Sequence, residues 1–139
     1  MLPRTVRCSA HHPTNGASYP PNQPTLQRCY ALGQALRRAI HSWDGDETVA
    51  VMASGGLSHF VIEEDLDQEV LEALRDGDGK ALVRLPVDQF ESGTSEIRNW
   101  IALAGALDGT GLRMQLVDYV PCYRSEAGTG NAMGFVQWT

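Results

Sequence analysis

No stretch of this 139-residue sequence is apolar for long enough to span a bilayer, and Met1 to Ser18 lacks the uninterrupted apolar core of a signal peptide. The expected setting is a reducing cytoplasm, away from membranes. Cysteine is scarce: Cys8, Cys29 and Cys122 are widely spaced and odd in number, with no Cys-x-x-Cys pair and no Cys/His cluster of the kind that encloses zinc. That argues against a disulfide scaffold. Positive charge is in deficit as well. A formal net charge of -6 and a pI near 5.1 oppose nonspecific nucleic-acid binding, which works mainly through clustered Lys and Arg. Arg37-Arg38 and the acidic stretch from Glu63 to Glu72 read as solvated helix faces. Gly128-Thr129-Gly130-Asn131 has no lysine at the spacing of a phosphate-binding loop, so no nucleotide site is expected. No internal repeat is present.

What the sequence does contain is enough apolar residue, 42%, to fill the core of one globular unit. Pro3, Pro13, Pro20, Pro21 and Pro24 crowd its beginning together with His11, His12, Asn15 and Gly16, which predicts an irregular or mobile arm over residues 1–18 and one domain over residues 19–139. Thr25 can cap a helix with Cys29, Leu32, Leu36, Ile40 and Trp43 on one stripe, stopped by Asp44-Gly45-Asp46. Thr48 to Ala53 reads as a buried strand that ends in a glycine turn. A second helix is expected from about Asp67 to Arg75 with Val70, Leu71 and Leu74 inward, ending at Asp76-Gly77. Ala81 to Phe90 fits no element firmly. Gly93-Thr94 opens a third helix, with Ile97, Trp100, Ile101, Ala104 and Leu107 inward. Leu112, Met114 and Leu116 alternate with polar residues, as in a half-buried strand running toward Tyr119. A glycine-rich loop, Ser125 to Asn131, precedes a last apolar segment from Met133 to Trp138. Helices interleaved with strands predict an α/β domain, its helices packed on a central mixed sheet.

Two residues carry most of the chemistry. His59 follows Ser54-Gly55-Gly56-Leu57-Ser58 at the mouth of the expected strand, where an imidazole can trade a proton near neutral pH and glycines let a ligand approach the backbone. A histidine bonded within a tight turn is the plainer alternative. Glu96 stands in the first turn of the third helix, where the helix dipole alone accounts for a carboxylate; turned inward, it would suit a hard cation such as Fe(II). His41 sits near a helix C-terminus, and His11 and His12 lie in the Pro-rich arm, so none of these needs a function.

Five segments, taken in order, resemble a known family. Tyr19-Pro20-Pro21-Asn22-Gln23-Pro24, Arg28-Cys29-Tyr30-Ala31-Leu32-Gly33, Ser54-Gly55-Gly56-Leu57-Ser58-His59, Gly93-Thr94-Ser95-Glu96-Ile97-Arg98-Asn99-Trp100 and Ala127-Gly128-Thr129-Gly130 are similar to the C-terminal half of the class III extradiol ring-cleavage dioxygenases, the family of the protocatechuate 4,5-dioxygenase β subunit. The resemblance spans roughly Tyr19 to Trp138. It implies a non-haem Fe(II) held by two histidines and a glutamate, with open positions for a catecholic substrate and O2. Glu96 would be the carboxylate ligand and His59 the acid/base, with Gly56, Ser58 and Thr129 contacting the substrate. Arg124 and Ser125 would face an acidic substituent such as that of protocatechuate or gallate. In the family both iron-binding histidines lie well upstream of the Pro-Pro-Asn-Gln-Pro segment, whereas only residues 1–18 precede Tyr19 here, and neither His11 nor His12 takes the ligand role. The expectation is a truncated or split dioxygenase half, completed by another polypeptide or by a second copy of the chain. Its alternative is a noncatalytic oligomeric interaction or regulatory module that keeps the scaffold.

Overall fold

Residues 22–139 are described by a computed structural model. The expectations placed on the arm, on His11 and His12, and on Tyr19 to Pro21 lie outside them. Helix α1 (Leu26–Ser42) begins where Thr25 accepts a hydrogen bond from the Arg28 amide, directly after a proline that cannot continue a helix backwards. Its buried line is Leu26, Cys29 and Gly33. The expected stripe is therefore turned partly outward: Leu32 and Trp43 are each 43% exposed. The reason is Gly33, which seats α1 directly on the main chain of α4 (Ile97–Leu107); a Cβ there would collide with the Ala102 carbonyl oxygen and stand 2.6 Å from the Ala106 amide nitrogen. Helices that touch through backbone leave no room between them for the leucines on either side.

The strand expected over Thr48 to Ala53 does not form among the described residues. That stretch has neither helix nor strand, and Met52 is 86% exposed. Valine-rich composition records a preference for a pleated, half-buried surface, and no neighbouring strand supplies one here. The chain becomes a strand only at β1 (His59–Val61), followed by α2 (Glu64–Asp76), which buries Leu66, Asp67, Val70, Leu71, Ala73 and Leu74. Gly77 closes α2 in the left-handed conformation, φ 66°, that a C-terminal cap favours. Ala81 to Phe90, which fitted no element firmly, takes in the end of α3 (Gly79–Leu82) and a 3-10 turn, Val87–Gln89. A second 3-10 turn, Ser92–Glu96, leads into α4. The last two elements, β2 (Met114–Tyr123) and β3 (Thr129–Trp138), form a long hairpin.

The described residues form an α/β domain of four helices and a three-stranded sheet in the order β1-β3-β2. The sheet is antiparallel at both pairings, not mixed; for β2 and β3, joined by a short turn, no other pairing is open. One face packs on the core: Ala132 is fully buried, and Met114, Leu116, Tyr119, Val136 and Trp138 lean on Leu57, Val70, Leu71, Ile97 and Ile101. The opposite face carries Val120 directly across from Met133, with Val117 and Phe135 beside them, all open to solvent. Among the described residues no helix is long and apolar enough to cross a membrane.

Candidate active site

Glu96 ends the 3-10 turn before α4, and His59 opens β1; the fold brings their side chains together, His59 Nε2 standing 3.4 Å from Glu96 Oε2. Three glycines make that approach possible. A Cβ at Gly56 would lie 2.6 Å from His59 Nε2, one at Gly93 2.6 Å from His59 Cβ, and one at Gly55 2.8 Å from Glu96 Oε2. Gly55 also holds φ at 140°, a conformation L side chains rarely adopt. The glycine turn thus makes room for the site's own two side chains, where the sequence pattern suggested room for a ligand.

Hydrogen bonds fix the same geometry. The Gly56 amide donates to Glu96 Oε2 at 2.9 Å, while the Asn99 side chain and the Trp100 indole donate to the carbonyls of Ser54 and Gly55, tying the turn to the first turn of α4. The His59 amide donates to Thr94 Oγ1 at 3.0 Å. His59 Nε2 is itself buried and, though close to the carboxylate, is not aligned for a hydrogen bond with it or with any other described group. The nitrogen is thus enclosed beside a carboxylate whose own side chain is 37% exposed.

Below the turn lies a polar cluster that periodicity did not reveal. Asp67, fully buried in the first turns of α2, accepts from the Ser58 amide on Oδ1 (2.8 Å), and from the Ser58 hydroxyl (2.7 Å) and the Tyr119 hydroxyl (2.8 Å) on Oδ2. Burial pushes the Asp67 carboxyl above the ordinary range, more than these three donors pull it down. Burial and the bond to Asp67 likewise push the Tyr119 phenol up. Ser58, expected to meet substrate, is an interior hydroxyl already committed: it donates to Asp67 and accepts from the Glu63 amide at 3.0 Å. Thr129 lies opposite Val61 in the sheet, whereas Asn131 is opposite His59; the Thr129 hydroxyl is paired with that of Ser125 at 2.7 Å. The structure therefore assembles His59, Glu96 and Gly56, and sets Ser58 below them and Thr129 to one side. Arg98 is a second buried charge, burial lowering its pKa; its guanidinium donates to the carbonyls of Phe90 and Pro24 and to Gln23, which joins the Asn22-Gln23-Pro24 segment to α4.

Asp67 was the residue most open to discovery from the sequence, since it stands on the apolar line Asp67, Val70, Leu71, Leu74, where a charge must be paired. Thr94 and Gly93 carry no such signal.

Residues 13–130 match the model of the catalytic LigB subunit of aromatic ring-opening dioxygenase. The chain belongs to the LigB family. Gallate dioxygenase of Pseudomonas putida is 34% identical over 109 residues, an overlap that takes in 70% of this chain and 32% of the relative. This LigB-family chain thus spans about a third of the length of the curated relative it matches. LigB-family dioxygenases are generally metal-dependent. Among the described residues no group of three or more His, Cys, Asp or Glu side chains converges as a metal site. Glu96 offers one oxygen free of the Gly56 amide, so these residues supply a fragment of a ligand set and do not fit the ion by themselves.

Proposed function

We propose that this chain contributes the acid/base half of an extradiol ring-opening dioxygenase site, with His59 as the acid/base and Glu96 as a carboxylate ligand for Fe(II). The family reaction is Fe(II)- and O2-dependent cleavage of a catecholic ring beside its two hydroxyls, with gallate or protocatechuate as the type of substrate. The observation that carries this reading is the convergence of His59 and Glu96 to 3.4 Å, where Gly55, Gly56 and Gly93 leave room for the two side chains. Among the described residues no group hydrogen-bonds His59 Nε2, which suits the imidazole to take a phenolic proton from a bound ring. The Gly56 amide holds one carboxylate oxygen and leaves the other uncommitted to it. Thr129, with Arg124 beside it in the hairpin, is proposed to meet the acidic substituent of the ring at the edge of the site. The remaining iron ligands come from a complementing polypeptide or a second copy of the chain, and the setting is the cytoplasm.

The test is elemental iron after anaerobic Fe(II) loading and desalting, followed by oxygen uptake with gallate and protocatechuate. It is run on the chain alone and with the part of the gallate dioxygenase that this chain does not match. The chain alone should retain little iron. The complemented protein should retain it and take up oxygen, losing both in Glu96→Ala; His59→Gln should keep the iron and lose about 10²- to 10⁴-fold in turnover, the usual worth of a general acid/base. Iron held equally with and without Glu96 would sink this reading. A noncatalytic oligomeric module is favoured by one observation, the apolar face around Val120, Met133 and Phe135, and predicts no oxygen uptake in either arm together with a stable oligomer.

A further inference from the structure

Asp67 is the buried ionisable group that the reading above leaves without a task. Both of its oxygens hold Ser58: Oδ1 takes the Ser58 amide and Oδ2, which also accepts from Tyr119, the Ser58 hydroxyl. Ser58 Oγ in turn accepts from the Glu63 amide, so Ser58 to Glu63 is closed into a bracket with His59 inside it. Within that bracket Phe60 holds φ at 67°, a left-handed conformation that a bulky side chain takes only when its surroundings impose it. On the other side of His59, its own amide is anchored on Thr94. No described group hydrogen-bonds Nε2, so the direction of that ring edge is set by the main chain carrying it.

We infer that Asp67 is a positioning residue, which through its two-point hold on Ser58 fixes the turn that presents the His59 ring to Glu96. The inference rests on the reading of His59 as the site's acid/base. A helix N-terminal carboxylate serving only the α2 dipole would have no reason to be fully buried or to spend both oxygens on the residue before His59. Tyr119 adds a link from the same carboxylate to β2, independent of the hold on Ser58.

NMR on the full chain tests it. His59 Cδ2 and Cβ lie close enough to the Gly56 and Gly93 backbone for nuclear Overhauser cross-peaks between the ring and Gly56, and between the His59 methylene and Gly93. Both should be present in the wild type. Asp67→Ala and Ser58→Ala should lose the ring cross-peak while the amide signals of α1 and α4 stay in place. Asp67→Asn should restore it, because an amide can accept from the Ser58 amide and donate to the Ser58 hydroxyl. Tyr119→Phe, which leaves the hold on Ser58 intact, should retain it. A ring cross-peak that survives in a folded Asp67→Ala would overturn the inference, as would its absence from the wild type. Should Asp67→Ala not fold, Ser58→Ala decides, since it removes one oxygen and little volume. Neither cross-peak depends on iron or turnover, so a wild type with the cross-peaks whose complemented form shows no oxygen uptake would sink the acid/base reading and leave the positioning result standing.

Discussion

A methyl group placed on Gly93 would press on His59 Cβ and Cγ, atoms held by main chain and unable to swing aside. Gly93→Ala should therefore destabilise the domain by about 1–3 kcal/mol, the usual cost of overpacking, read as a lower denaturant midpoint at unchanged slope. Asp67 gives a prediction with a sign in pH. Its carboxyl is raised in the fold, so the folded chain binds a proton more tightly than the unfolded one, and stability falls as pH climbs from about 4 through the raised value. Asp67→Asn has no such proton. The difference in melting temperature, wild type minus Asp67→Asn, should shrink or reverse between pH 3.5 and pH 7, the other carboxylates cancelling between the two proteins. His59 and Glu96 were legible because each stands in a short segment of distinctive composition. The grip of Asp67 on Ser58 was not, since no local pattern pairs residues nine apart across a turn; only the misplaced charge on an apolar stripe hinted at it.

Within β1, Phe60 is strained in backbone and 59% exposed in side chain, so it gains little from burial to offset its conformation. Phe60→Gly should relieve a penalty of about 1–2 kcal/mol, offset in part by the entropy that glycine adds to the unfolded chain, and should leave the melting temperature unchanged or higher. Elsewhere the elements followed local rules. Helix α2 and helix α4 appear where period put them, though α2 starts earlier, at Glu64, and α4 later, at Ile97 behind a 3-10 turn, and β2 appears where alternation put it, because each buries one face against elements present in the same chain. Residues 48–53 did not follow, since a strand is completed by a neighbour and its own sequence cannot say whether the neighbour is there. The leucines of α1 misled for a related reason: the helix is seated by a glycine, which hydrophobic periodicity does not count.

At the scale of the molecule, the described residues cover the sheet on one side only. Val120 and Met133, paired across the hairpin on the open side, contribute little to the domain's own core. Val120→Lys and Met133→Lys should each change stability by no more than about 0.5 kcal/mol. They should also lower any self-association seen as a concentration-dependent sedimentation coefficient; unchanged sedimentation in an associating protein would put the contact elsewhere. Which faces stay open is a property of everything that packs around a chain, and composition alone is silent on it. The same incompleteness has a mechanical side in the stretch between α1 and β1. Among the described residues, 48–53, lacking helix or strand and carrying an exposed methionine, are the segment that a broad-specificity protease would engage first. A cut between Val51 and Met52 severs the connection but not the seat of α1 on α4 at Gly33. The clipped protein should therefore travel as one particle through a sizing column and separate into two chains only once unfolded.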